Sequence, residues 1–484
     1  MKMYKCKLLS ILAGLLLSTA CQKVLDVNTD PNNLNTATPE LVLPAAQQQM
    51  AVVISDQFDM ISAVWAQYWT GGYGVSTSSI ENYNMTFSQS NAGWRDLYAQ
   101  SLKDFDFLLK SGEPRYIGVA KISSAYIYQL LVDLYGDIPF EEALKGNEGI
   151  ISPKYNTEEE VYNSLIPMID EGVRNLDSVS PSPSIIFKEL GSKDLYYGGD
   201  LALWKKFANT LKLKILIRSG KYADALNLLN SGVSFISSST DEFKFRFYET
   251  TKNVNPIYNN FVNTTSGNYY VATKSSINIL SSLSDNRIRK IYIAGTAGDS
   301  GVYSGNVNVD IVAYPAGGQN TKFSRPNTTY VYGAMIPVFL LTNWESNFLQ
   351  AETKIRNGID GSTELLNAIT ANFAYYGLSA AQASTYMSSL GFDPTASVDN
   401  QINILAIQKW IAMNGLQMTE GWLETLRFDR PGNHIFNDIF TSPTNNSLGN
   451  RVYPSSYVYP SSEINSNPNV PRDRVVTDKR FWDN

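Results

Sequence analysis

The chain of 484 residues carries 45 Asp and Glu against 39 Lys and Arg, a formal net charge of −6, with one histidine and two cysteines. A duplex-binding protein needs an excess of basic surface to displace counterions, so nucleic acid is excluded as a partner. A single histidine, His434 in RPGNHIF, excludes a multi-histidine metal centre, and no metal or cofactor site is expected.

The first residues read as an export signal. Lys2, Lys5 and Lys7 make a positive leader, LLSILAGLLL is apolar but short for a bilayer span, and STAC places small residues before Cys21. A soluble export signal would be cut near Ala20. A lipoprotein signal would make Cys21 the acylated first residue, and no other role for a free thiol there is evident. Cys21 is therefore read as the lipidation site, although Ser18 stands three places before it where leucine is usual. Cys6 leaves with the leader, so no disulfide can form within the exported chain. The segment DVNTDPNN, from Asp26, opens like a calcium loop, yet its sixth and twelfth places, which require glycine and glutamate, hold Pro31 and Ala37. It is expected to be a stiff polar tether. The division is then a signal at 1–20, a lipidated tether at 21–40 and a single body at 41–484, with no later linker and no second apolar span of membrane length.

Taken in order, the body alternates helical patterns with long polar loops. WTGGYGVSTSSIENYNMTF, residues 69–87, has turn signals and the side chains that bind sugars: Trp69, Tyr73, Asn82 and Tyr83. The acids Asp133, Asp137, Glu141 and Glu142 raise the question of a glycosidase pair, but Gly-Asp-x-Pro reads better as a helix end, with Asp137 bonded to local backbone. In TEEEVYNSLIPMIDEGVRNLDS, Val161, Leu165, Ile169, Val173 and Leu176 recur at helical spacing; Thr157 with Glu160 forms a capping box, and Pro167 predicts a kink. A helical hairpin follows, with Trp204, Phe207, Ala208, Leu211 and Ile215 on one face, a break at Gly220, and Tyr222, Ala225, Leu226 and Leu229 on the second helix. The lysines of WKKFANTLKLKILIR are read as a solvated face.

Residues 250–335 show no helical period and hold a second aromatic cluster: Tyr269, Tyr270, Tyr303 and Tyr314. A second hairpin is expected at 347–377, with Ala351 as its small residue and Glu352 as a buried or interfacial helix-packing partner. Trp204, Trp410 and Trp422 are expected in the core or at helix interfaces, His434 in an exposed loop after a Pro-Gly turn, and 441–479 in a third long loop. The spacing Trp204-x2-Phe207-Ala208-x2-Leu211 matches the start of a tetratricopeptide repeat. The fold class expected is mostly α, a tetratricopeptide-like hairpin scaffold bearing long irregular loops. Such loops argue for a functional face, here two aromatic clusters.

Several segments, in order, resemble the SusD/RagB-like nutrient-binding lipoproteins of the Bacteroidetes outer membrane, in particular the SusD-like 2 branch. They are CQKVLDVNTDPN, LLVDLYGDIPFEEAL, YYGGDLALWKKFANTLKLKILIR, SDNRIRKIY, LLTNWESNFLQAET, IQKWIAMNGLQMTEGWLETLR, RVYP with YPSSEINSN, and the terminal RFWDN. Asn286, Trp344 and Thr353 depart from the residues common there. The resemblance implies four helical hairpins, a lipid anchor in the outer membrane at the cell surface, and a seat on a SusC-type TonB-dependent transporter. It also implies capture of an oligosaccharide, or sometimes a peptide, without catalysis, with ligand contacts often carried by the loop between the first two long helices. The competing readings are a secreted glycan-active enzyme using Asp137 or Glu141, and a lipoprotein whose repeats bind protein partners.

Overall fold

The computed structural model describes residues 37–72, 79–248, 253–260, 270–296, 298–301, 322–443 and 445–483. Helix α1 (Pro39–Val53) runs through a π-helical turn at Ile54–Asp59 into α2 (Met60–Trp65) and then strand β1 (Trp69–Gly71). Helices α3 (Asn91–Asp96) and α4 (Lys103–Leu109) are likewise joined by a π turn, Leu97–Leu102. The scaffold proper consists of four helix pairs: α5 (Pro114–Tyr135) with α6 (Glu158–Leu176), α7 (Leu201–Arg218) with α8 (Tyr222–Leu229), α12 (Asn343–Arg356) with α13 (Ser362–Tyr375), and α15 (Val398–Met413) with α16 (Met418–Phe428). Helix α14 (Ala380–Ser389) packs on α13. Both hairpins read from the sequence are present. Among the described residues no helix is long and apolar enough to cross a membrane.

Local chemistry sets the boundaries. The Thr157 hydroxyl accepts from Glu160 N at 3.3 Å while the Glu160 carboxylate accepts from Thr157 N at 2.9 Å, so the capping box starts α6, which continues unbroken through Pro167. Asp200, the acid of the Gly-Gly-Asp segment, caps α7 by accepting from Ala202 N and Leu203 N. Two glycines let α5 and α6 approach: a Cβ on Gly118 would meet the carbonyl of Gly172 at 2.8 Å, and one on Gly172 that of Gly118 at 3.0 Å.

The stretch 250–335 is not free of helix. It contains α9 (Pro256–Tyr258), α10 (Lys274–Ser282) and α11 (Ile288–Ile291), and 441–479 contains α17 (Ser461–Ser466). These helices escape a periodicity search because they are short, and α10 depends on its cap, Thr273, which accepts from Ser276 N at 3.1 Å.

The core is aromatic. Phe207 and Phe243 stack at 3.8 Å, Tyr196 lies 4.2 Å from Phe243, and Trp65 meets Trp422 edge-on at 4.9 Å. Trp204, Trp410 and Trp422 are all buried, as their spacing implies. Each such ring contributes about 1.5–3 kcal/mol from burial and about 1 kcal/mol more from ring pairing. Trp344, at a place where the family often differs, is also in the core and donates to the Gln417 side chain at 3.1 Å.

The reading of the α7 lysines as a solvated face is corrected by the structure at Lys214. Lys205, Lys206 and Lys212 reach Asp177, Asp241 and Asp170 at the periphery, but Lys214 and Arg218 are buried. Lys214 pairs with Glu345 at 3.0 Å and Glu420 at 2.6 Å; Arg218 pairs with Asp133, Glu420 and Glu424. Lys409, Arg427 and Arg356 complete the network through Glu424 and Glu352. Cations and carboxylates balance, which is what allows so much charge inside a helical core. Burial would raise the Glu424 carboxyl, yet Arg427, Lys409 and Arg218 together hold it well below the usual range. Glu352 is the buried packing partner expected of it.

The LYGD segment ends α5 at Gly136, with φ 88° and ψ −125°. A side chain there would also run into the guanidiniums of Arg474 and Arg480, which fold back over this turn and pair with Glu158 at the start of α6. Gly136→Ala is expected to cost about 2 kcal/mol in urea unfolding, from backbone strain alone. An unchanged midpoint would mean that the turn relaxes freely.

Candidate functional site

The two aromatic loops predicted from sequence start from the same place. Strand β1 pairs antiparallel with β5 (Tyr270–Ala272) in the register Trp69 to Ala272 and Gly71 to Tyr270. The chain leaving β1 and the chain entering β5 therefore meet at one end of a two-stranded ribbon. A third segment joins them. Ala272 N donates to Ser324 O at 2.8 Å and Ser324 N to Ser300 O at 2.8 Å, so residues 300–301 and 322–324, which flank 302–321, lie against β5.

A polar clasp fixes this mouth to the scaffold. Gln67 takes a left-handed conformation, φ 53°, between α2 and β1. Its side chain donates to the Tyr83 hydroxyl at 3.1 Å and the Thr441 carbonyl at 2.8 Å, and accepts from the Ser275 hydroxyl at 2.6 Å and Thr441 N at 3.0 Å. One buried amide thus ties together the 79–90 turn, the start of α10 and the 441 segment. The Glu81 carboxylate accepts from the Thr70 hydroxyl at 2.8 Å and from Gly71 N, closing the turn back onto β1. Ser447 donates from backbone and hydroxyl to Asn82 O, so the 441–453 segment forms a further wall. None of Gln67, Glu81, Thr441 and Ser447 was singled out from sequence, and a left-handed glutamine leaves no local signature that could have found it.

The predicted ligand residues divide into three groups. Trp69 and Tyr83 are fully buried: Trp69 packs edge-on to Tyr332 at 5.2 Å, and Tyr83 meets Tyr453 at 6.0 Å. Neither ring has a face open to a ligand, so the expectation of stacking on them is withdrawn; they support the mouth instead. Asn82 and Tyr270 are half-buried at its edge, with Tyr270 6.3 Å from Trp69. Tyr73, Tyr269, Tyr303 and Tyr314 lie outside the described residues.

The carboxylates considered for glycoside hydrolysis do not face one another across a cleft. Asp133 is buried against Arg218, Tyr162 and the Trp482 indole, which donates at 3.0 Å. Asp137 accepts from Glu158 N at 3.0 Å, a partner 21 residues away rather than the local backbone expected. Glu142 accepts from Lys154 N at 2.9 Å, and Glu141 is exposed. His434 is exposed, directly after a turn closed by Arg430 and Asn433.

The sequence profile of SusD-like 2, described as starch-binding associating with outer membrane, matches residues 31–460. The chain belongs to the SusD-like 2 family. No curated protein matches it. Solved structures similar to this SusD-like protein include a SusD homolog from Bacteroides uniformis, at 17% identity and TM-score 0.73 over 92% of this chain and 99% of that one. A SusD/RagB family protein from Bacteroides thetaiotaomicron aligns at 22% identity and TM-score 0.71 over 92% and 99%, and a chitin-binding protein at 22% and 0.74 over 92% and 100%. At these identities the likeness establishes the fold, the tetratricopeptide-like helical scaffold. Family membership makes this SusD-like chain a non-catalytic nutrient-binding protein associated with the outer membrane.

Proposed function

We propose that the protein is anchored by lipid at Cys21 on the cell surface, captures a glycan at the mouth bounded by β1, β5 and residues 79–82, and passes it to a SusC-type TonB-dependent transporter. The observation that carries the site is the β1–β5 ribbon, because it gives two separately predicted aromatic segments a common origin. Sugar recognition uses aromatic faces for C–H stacking and amides for hydroxyls, and Tyr270, Asn82 and the aromatics Tyr73, Tyr269, Tyr303 and Tyr314 supply both. The starch-binding description of the family and the chitin-binding structural relative make α-1,4-glucans and chitooligosaccharides the first probes.

Calorimetry on residues 22–484 is the direct test, with the Tyr73→Ala, Tyr270→Ala double variant as comparison. The parent is expected to bind at least one of these glycans without altering it, and the variant, at equal melting temperature, to lose about tenfold in affinity, roughly 1.4 kcal/mol. Cleavage products would overturn the non-catalytic reading. If no glycan binds, while a protein partner is retained by the same surface, the repeat-based interaction reading takes its place.

A further inference from the structure

We infer that the loop 178–189, between α6 and α7, is a membrane-contact loop: Val179, Ile185 and Ile186 enter the lipid leaflet that holds the acyl chains of Cys21, so the body rests on the bilayer by the end where its tether enters. This rests on the lipid-anchor reading proposed above. Ile186 is 87% exposed and Val179 84%, and only Ile151, at 87%, matches them among the described large apolar side chains. Ile185 and Leu41 are exposed as well. Single exposed apolar residues need no explanation, but three within one short loop do.

The loop leaves these apolar side chains outside while its polar groups bond one another. The Ser180 hydroxyl donates to the carbonyls of Ser182, at 2.6 Å, and Ile185. The Ser182 and Ser184 hydroxyls meet at 2.9 Å, and Ile185 N donates to Ser182 O at 3.0 Å. Pro181 and Pro183 carry no N–H to satisfy. A loop built for water does the reverse, offering its hydroxyls to solvent and tucking its isoleucines in. Backbone polar groups that approach lipid need partners within their own segment, and these bonds provide them.

Position identifies the occupant as lipid. The far end of the loop is pinned to the starts of α1 and α5. Lys188 pairs with Glu40 at 2.8 Å and donates from its backbone N to Glu113 at 2.9 Å, while Glu189 pairs with Arg115 and accepts at its carbonyl from the Tyr116 hydroxyl at 3.2 Å. The near end of the loop follows the last turn of α6, at Leu176. The chain from Cys21 enters the described body at Ala37, three places before Glu40, and so arrives beside this loop. At roughly 3.3–3.6 Å per residue, Cys21 to Ala37 reaches at most about 58 Å. With this end on the bilayer the tether is slack, whereas the opposite end can touch lipid only if the tether is drawn out around the body, against its conformational entropy. Once the acyl chains hold the protein, insertion of a few side chains is intramolecular and needs little affinity of its own.

The test uses the lipidated protein. Cys6 leaves with the leader and the Cys21 thiol is acylated, so a cysteine placed in the body is the only free thiol. The protein is reconstituted in vesicles of phosphatidylethanolamine and phosphatidylglycerol that carry a nitroxide on the acyl chain, with an environment-sensitive fluorophore on Ile186→Cys or on Ile151→Cys. Ile151 is as exposed as Ile186 but precedes α6, whose 19 residues at roughly 1.5 Å each set the two ends about 28 Å apart. A melting curve confirms each fold. The probe at 186 is expected to shift to the blue and to lose most of its emission to the nitroxide, and the probe at 151 to do neither. Adding Val179→Ser and Ile185→Ser is expected to abolish the quenching at 186. A probe at 186 that stays unquenched on protein floating with the vesicles overturns the membrane contact and leaves the lipid anchor standing. Equal quenching at both positions overturns it too, because the body then has no preferred face. A shift at 186 in native outer membranes that is absent from lipid vesicles assigns the loop to a protein partner instead. Protein that does not float with the vesicles removes the anchor and this contact together.

Discussion

Arg218→Met is expected to destabilise the protein by about 3–5 kcal/mol in urea unfolding, the range for breaking one side of a buried ion pair. The guanidinium reaches Asp133 on α5 and both Glu420 and Glu424 on α16, and lies 5.5 Å over the Trp482 ring of the C-terminal tail. Methionine fills most of the volume, so the loss is one of charge. Three buried carboxylates would keep only Lys214, Lys409 and Arg427 as partners, and Asp133 touches none of these. Lys205→Met removes a cation from the same helix, but its partner Asp177 is in solvent, and no measurable change is expected. Adding Asp133→Asn to Arg218→Met should recover part of the loss, because it removes the carboxylate left most isolated. Equal effects at positions 205 and 218 would mean that the buried network is not the scaffold's electrostatic centre.

This network shows where sequence reading succeeds and where it stops. Apolar spacing identified α6 and α7 because each buries a periodic face against a partner, and the spacing survives without knowledge of the partner. The same logic placed Trp204, Trp410 and Trp422 in the core. It misplaced Lys214 and gave no sign of the burial of Arg218, since a cation on a helix has solvent as its default surroundings, and only the arrival of Asp133, Glu345, Glu420 and Glu424 from three other helices changes that. The mouth was half legible. Two aromatic loops could be seen, but their common origin depends on a three-residue ribbon between segments some 200 residues apart, and no local pattern encodes a long-range register. The composition that suggested ligand stacking also built the support: Trp69 and Tyr83 have the chemistry of a sugar platform, and burial rather than residue type decides which aromatics serve as one.

Asp59 provides a different kind of test, one in pH. It ends the π-helical turn between α1 and α2, and its carboxylate accepts from Thr419 N at 2.9 Å and from the Thr419 hydroxyl at 2.8 Å. Burial pushes its pKa up to about 7 from 3.8, and the two hydrogen bonds from Thr419 offset only part of that. A carboxyl whose pKa is higher folded than unfolded binds its proton more tightly in the native state. Its favourable contribution is therefore complete below about pH 4, declines as pH rises toward 7, and is gone above it. The interval corresponds to about 4 kcal/mol. Asp59→Asn keeps the shape and the acceptor oxygen while removing the titration. Subtracting parent from variant stability cancels every other carboxylate the two chains share. The difference is expected to grow in favour of the variant by about 4 kcal/mol between pH 4 and pH 8, most of it before pH 7. A difference that stays flat would show that Asp59 keeps an ordinary pKa. The turn joining α1 to the mouth would then be held by an ionised carboxylate, compensated by its hydrogen bonds from Thr419, rather than by a protonated one.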